Sequence, residues 1–541
     1  MEQQLQNLPV GVQDFEKLRR GNYRYVDKTA LIYKLVNEGC CYFLSRPRRF
    51  GKSLLLSTLE AYFLGRKDLF HGTAIENLEN DWDVYPVLHL DLNTAKFYEP
   101  GTLSDKLNTS LTQWEKIYNT DCPSKDFGIR FEYVIQRAFE KTGKQVVILV
   151  DEYDKPLLET INNQVLQDDY RATLKGFYGA LKSMDACIKF AMLTGVTKFG
   201  KVSIFSDLNN LDDISLDSDY FNICGIDEQE LHCQLDPYVQ RLASKNHFSV
   251  DEAYEQLKLY YDGYHFTEDT PGMYNPFSLL SALKKRKIGH YWFDTGTPTY
   301  LVDMIRKKDY NLEELSQDEV SADVLSSIDL ASENPIPVIY QSGYLTIKGY
   351  DHEFEIYKLG FPNKEVKSGF LRYLMPSYMS LSNKDAGFQV NSFVSEIRRG
   401  DTDAFMDRLK GFFANTPYEL IQNLENHYQN VLFILCTLCG LYTKAEYHTC
   451  AGRIDMTIET DRFVYVFEFK LNRSVREALA QIRDNNYAES FASSGKQVIC
   501  IGANFSDKVR NLDSYQAVSP SELQGMDLSP KKSARRSTRK R

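Results

Sequence analysis

The sequence predicts an α/β protein. A parallel sheet with helices on both faces comes first, then a mostly helical middle region, then a smaller α/β unit. Three observations predict this. Short apolar runs alternate with helical patterns up to about residue 230. Apolar residues at helical spacing then dominate to about residue 375. From about residue 440, segments of period two precede one more helix and one more strand. A chain of 541 residues is too long for one ordinary core. The boundaries expected are 1–230, 231–375 and 380–515, with a basic disordered tail over 520–541.

The elements can be justified in order. "CCYFLS" (40–45) is short and apolar, and "LLLSTLEAYFLG" follows at helical spacing. "YPVLHLDLN" (85–93), "KQVVILVDEYDKP" (144–156) and "CIKFAMLTG" (187–195) are further strands. The run Val146–Val150 is continuous and rich in β-branched residues, as buried parallel strands are. "EQELHCQLDPYVQRLA", "SVDEAYEQLKLYYDGYHF" and "NPFSLLSALKKR" read as helices of the middle region. The Ser/Asn-rich "SLSNKDAG" near residue 380 marks a boundary. Beyond it "AEYHT", "RIDMTIET" and "FVYVFEFKL" alternate like antiparallel strands, "SVREALAQIRDNNYAESFA" reads as a helix and "KQVICIGANF" as a strand.

Composition narrows the class. Apolar residues at 43% and charged residues at 26%, with 35 Tyr and 32 Phe, argue against disorder for most of the chain. "NVLFILCTLCGLY" (430–442) is too short to span a bilayer and reads as a buried helix. Cys436 and Cys439 inside it read as core thiols, because no second ligand pair lies nearby. The first residues lack the basic start and apolar core of a secretory signal, so a reducing cytoplasm is expected. The net charge of −10 hides an asymmetry: the last thirteen residues carry seven basic groups and no acids, which leaves −17 for the rest. Contact with nucleic acid would therefore use the tail or local basic patches.

"FLSRPRRFGKSLLLSTLEAYF" (43–63) carries the first chemistry. Gly51, Lys52 and Ser53 end it as a phosphate-binding loop ends, G-x-x-x-x-G-K-[ST], between a strand and a helix. Arg46 stands where the first glycine is usual. Backbone N–H groups of Pro47 to Leu54, proline excepted, would face phosphates at the helix N-terminus. Lys52 would reach the β- and γ-phosphates of ATP, and Ser53 would ligate Mg²⁺. The strand ending in Asp151 and Glu152, about a hundred residues later, supplies an acid to hold Mg²⁺ through water (Asp151) and a group to polarise attacking water (Glu152). Pro47 can fix the turn that the missing glycine would ease. Phe50 completes the loop. Arg46, Arg48 and Arg49 either stabilise charge on the transferring phosphoryl group or pair with carboxylates and solvent.

"RPRRFGKSLLLSTLEAYF" resembles the predicted ATPase family called AAA-ATPase-like, whose loop similarly has Arg at this position. "LPVGVQDFEKLRRGNYRYVDKTALI", "ILVDEYDKPL", "LTGVTKFGKVSIFSDLNNLDDISL", "YYDGYHF", "YNPFSLL" and "DTGTPTYL" resemble it too, over about residues 5–300. The resemblance implies that Thr194 senses the γ-phosphate. It also implies that Asp27, Lys28 and Thr29 lie near the nucleotide.

"GRIDMTIETDRFVYVFEFKL" carries the second chemistry. Alternation along a strand points Glu468 and Lys470 to one face, with Asp455 on the preceding strand. Two carboxylates can ligate Mg²⁺ or Mn²⁺, and a lysine can orient water and steady developing phosphate charge. The segment resembles the PD-(D/E)XK nuclease superfamily over about residues 420–505, with Asp455, Glu468 and Lys470 in the core motif. Gln481 matches an accessory polar position. Glu425, with Glu446 as rival, is the candidate for the first acidic position.

These readings lead to an ATPase joined to a metal-dependent nuclease acting on DNA or RNA. The alternative is a regulatory NTPase switch whose C-terminal domain binds nucleic acid or a partner without cutting. The sequence predicts no membrane span and leaves open whether copies assemble into a homo-oligomer.

Overall fold

The computed structural model describes residues 5–198, 210–293, 301, 305, 310–313, 315, 319–326, 334–378, 383–414, 424–440, 444–450 and 453–528. The chain divides into two compact units, one of residues 1–297 and 315–366, the other of 298–314 and 367–541.

Five parallel strands form the first unit's main sheet: β1 (Cys41–Ser45), β2 (Val87–Asp91), β3 (Val146–Asp151), β4 (Ile188–Gly195) and the two-residue β5 (Asp212–Asp213), in the order β2-β3-β4-β1-β5. The β-branched run of β3 is buried at every position, because strands flank it on both edges and helices cover it. The helix Lys52–Phe63 packs under β2, β3 and β4 through Leu55, Leu56, Leu59 and Phe63. As β1, β4 and β3 are neighbours and parallel, their C-terminal ends lie side by side. Those ends carry the phosphate-loop motif, Thr194 and Asp151.

The middle helices are Asp236–Asn246, Val250–Tyr261 and Pro276–Lys285. Ser249 and Glu252 form a reciprocal capping box at the second, and Asn275 caps the third with Pro276 in its first turn. Their inner faces, with Leu231, Leu235 and Tyr274, build one core onto which Leu8 folds back. Residues 335–370 contain a short helix, Ile336–Gln341, and the hairpin β7 (Thr346–Asp351) and β8 (Ile356–Gly360), with β6 (Glu319–Ser321) on β8's other edge.

The second unit holds β9 (Lys444–Cys450), β10 (Arg453–Glu459), β11 (Phe463–Leu471), β12 (Gln497–Ser506) and β13 (Asn511–Val518), in the order β13-β12-β11-β10-β9. Only β11 and β12 are parallel, and the helix Val475–Asp484 crosses between them. The helix Leu424–Cys439 is buried from Tyr428 to Cys439 over most of its positions, and among the described residues no helix is long and apolar enough to cross a membrane. Cys436 and Cys439 are both buried in this helix.

The Ser/Asn-rich segment near 380 leads into a helix, Asn383–Arg399. One segment differs from what the sequence led us to expect: the stretch expected to be tail begins as the helix Pro520–Gly525, opened by a Ser519–Glu522 capping box. The basic residues of 529–541 lie outside the described residues, as do most of "DTGTPTYL" and positions 199–209.

Candidate functional site

The loop between β1 and the helix Lys52–Phe63 begins with a residue turned inward. Arg46 is 1% exposed. Its guanidinium donates to the carbonyl oxygens of Ser45 (2.9 Å), Ser215 (2.8 Å) and Tyr220 (3.3 Å), and lies 4.0 Å over the Phe266 ring. Burial pulls its pKa down to about 10. From sequence, Arg46 could be a phosphate ligand, or a partner of carboxylates or solvent. Its contacts are instead main-chain carbonyls behind the loop. A planar fork with several N–H donors suits that task.

The rest of the loop is braced from outside. Pro47 sits against Gly343, where an added Cβ would come within 2.6 Å of the proline ring. Phe50 is buried edge-on against Tyr264 (4.8 Å) and Phe266 (5.3 Å), and Trp292 Nε1 donates to the Arg48 carbonyl at 3.3 Å. Arg49 stacks on Phe277 at 3.8 Å, which leaves Arg48 as the exposed arginine of the three. Arg49 and Gly51 have positive φ (70° and 99°). A Cβ at Gly51 would meet nothing within 4 Å, so its conformation, not crowding, favours glycine.

Lys52 is 4% exposed; its Nζ donates to the carbonyls of Arg46 (2.9 Å) and Pro47 (3.3 Å) and stands 3.9 Å from Glu152. Asp151 is buried at the end of β3 and accepts from the Thr194 hydroxyl at 2.9 Å. Glu152 follows with φ of 54°, a costly conformation for a residue with a Cβ. Burial pushes the Glu152 carboxyl up, the neighbouring acids add to that, and Lys52 opposes it. The structure thus brings Lys52, Asp151, Glu152 and Thr194 together. Ser53 and Leu54 occupy the first turn of the helix, half-buried.

A cleft opens beside this loop, lined by Phe50, Gly51, Leu54, Tyr25, Lys28 and Ile226 among others. Lys28 pairs with Glu230. Asp27 and Thr29 accept main-chain N–H groups of Ala74 and Ile75.

Asp154 was not singled out from the sequence. This fully buried acid accepts from the main-chain N–H groups of Val196 and Thr197 and from the Thr197 hydroxyl. It ties the chain leaving β4 to the segment leaving β3. A third acid three positions after Asp151 in "VDEYD" was the available signal.

In the second unit, Glu468 is fully buried on β11, and Lys470 Nζ donates to it at 2.8 Å and also to Gln481. Gln481 is delivered by the helix Val475–Asp484, capped by Ser474. Gly502 on β12 lets that helix approach: a Cβ there would lie 2.8 Å from Leu479 Cγ and 2.9 Å from the Val475 carbonyl. Asp455 on β10 is the register partner of Glu468, and His448 on β9 is the register partner of Asp455. The backbone register therefore sets positions 448, 455 and 468 in one row. Glu446 pairs with Thr457, two positions along the same strands. Glu425 is half-buried in the first turn of Leu424–Cys439.

Comparison with known proteins agrees with this division. Residues 9–205 match a family described as predicted AAA-ATPase, and residues 423–515 match the PD-(D/E)XK nuclease superfamily. The chain is 34% identical over 516 residues to a protein of Azotobacter chroococcum mcd 1 described as an uncharacterized protein in the vnfD 5' region, covering 93% of this chain and 97% of that one. No solved structure matches the chain. The chain therefore belongs to the predicted AAA-ATPase family, in the form that carries a PD-(D/E)XK nuclease superfamily domain.

Proposed function

We propose that the chain binds and hydrolyses ATP in its first unit and that this activity is coupled to metal-dependent cutting of nucleic acid by its second. The observation that carries the first half is the gathering of Lys52, Asp151, Glu152 and Thr194 at three adjacent strand ends. Ser53 and Asp151 offer hard oxygen donors, which suit Mg²⁺. The bound ion would supply charge neutralisation at the phosphates. Lys52, now held on loop carbonyls, would exchange those partners for phosphate oxygens. Glu152 would orient the attacking water, Thr194 would hold Asp151, and the exposed Arg48 would meet developing charge. The cleft lined by Lys28, Phe50 and Leu54 would take the base and ribose.

The second half rests on the buried Glu468–Lys470–Gln481 chain. Asp455 and Glu468 are oxygen donors for Mg²⁺ or Mn²⁺. That ion would supply Lewis acidity at the scissile phosphate. Lys470, aligned by Gln481, would orient the attacking water.

The test separates the halves. Lys52→Ala should abolish ATP turnover and leave Mn²⁺-supported cutting measurable. Glu468→Ala should do the reverse. Turnover that depends on Lys52, with no cutting of any single- or double-stranded DNA or RNA, would favour the regulatory switch.

A further inference from the structure

A second constellation lies at the opposite end of two neighbouring strands of the first sheet, β1 and β4. β1 enters it at its N-terminal end with adjacent cysteines, Cys40 exposed and Cys41 buried. In an extended strand their side chains would diverge. Cys40 lies in a bend before the strand, and the two Sγ atoms approach to 3.7 Å. Asp185 joins them from the turn that precedes β4, with one donor atom of each residue within 4.8 Å of the others. Asn210 donates toward Cys41 Sγ (3.9 Å) and to the Asp185 carboxylate (3.2 Å).

We propose that Cys40, Cys41 and Asp185 bind a thiophilic divalent cation, Zn²⁺, with water in the fourth position. Two thiolates on one tetrahedral Zn²⁺, each at about 2.3 Å, stand ~3.8 Å apart. The observed sulfur separation already matches that edge. The donor set of two sulfurs and one carboxylate suits Zn²⁺ and not Mg²⁺, so this site does not compete for the ion expected at Ser53 and Asp151. Asn210 acts as the group that orients a ligand from behind. On binding, each thiol gives up its proton to solvent and the sulfur lone pair forms the metal bond; no redox change is involved. The ion would join the starts of β1 and β4, the strands whose other ends carry the phosphate loop and Thr194.

The test uses the full reduced chain, freed of metal and titrated with Zn²⁺ alone against a chromophoric chelator, then with Cd²⁺ to read the thiolate-to-metal absorption. Wild type should bind one equivalent more than Cys40→Ser, release protons as it binds, and melt higher with Zn²⁺ present. Asp185→Asn should weaken that equivalent by about tenfold or more. Both substituted residues are exposed, so unchanged melting without metal serves as the folding control. Equal stoichiometry and equal Zn²⁺-induced melting shifts in wild type and Cys40→Ser would overturn the proposal.

Discussion

Arg46 shows how a charge run can mislead. Three arginines in "RPRRF" look alike in sequence, yet one is a buried brace, one stacks on an aromatic ring and one faces solvent. Where the common motif has a glycine, this chain anchors the loop's entrance from behind. Arg46→Lys replaces a fork by a point charge that cannot reach the same carbonyls. It should lower stability by about 1.5–3 kcal/mol for each charged hydrogen bond broken, read by denaturant unfolding. Glu152 gives a prediction with a sign. Its carboxyl is pushed up, so it is protonated at a pH where ordinary glutamates are ionised. Turnover should fall on the acid side through that raised value, above the usual carboxylate range, and be flat above it. The folded state also holds this proton more tightly than the unfolded chain, so ionising Glu152 opposes folding as pH rises. Glu152→Gln should therefore lose turnover by about 10²–10⁴-fold yet be no less stable at neutral pH. A stability loss there would contradict the assigned environment.

Elements differ in how openly the sequence displays them. Strands β1 to β4 were legible because each is a short apolar run with a punctuating turn, and Lys52 and Asp151 sit where their strand ends require. β7 and β8 were not. Gly349 and a register shift after Ile347 break the alternation that marks a strand. β13 was missed because "NLDSYQAV" is a largely exposed edge strand with few apolar positions. The site row at 448, 455 and 468 depends on register, which distant pairing sets and local pattern cannot show. The short helix Ile336–Gln341 ends at "SG", whose Gly343 abuts Pro47 with φ of 86°. Gly343→Ala should destabilise by about 1–3 kcal/mol and weaken nucleotide binding together, because the added methyl pushes on the phosphate loop. Gly502→Ala should push the helix Val475–Asp484, and with it Gln481, off β11. Cutting should fall while ATP turnover persists, measured on the same preparation.

At the scale of the whole molecule, two units with separate cores carry the two candidate sites. Under the proposed function, the acidic body would repel nucleic acid at long range and the basic end of the chain would oppose that repulsion. Deleting residues 529–541 should weaken nucleic-acid binding uniformly across sequences and flatten its salt dependence, by about 0.9 in logarithmic slope for each phosphate no longer neutralised. Coupling between the two units is read out by the rate of nucleic-acid cutting with Mg²⁺, with and without ATP, in wild type, Lys52→Ala and Glu468→Ala. Wild type should cut at a rate that changes with ATP, Lys52→Ala should lose the ATP effect, and Glu468→Ala should not cut. Cutting by Glu468→Ala at the wild-type rate, or an ATP effect that survives Lys52→Ala, would contradict coupled ATPase and nuclease chemistry in this chain.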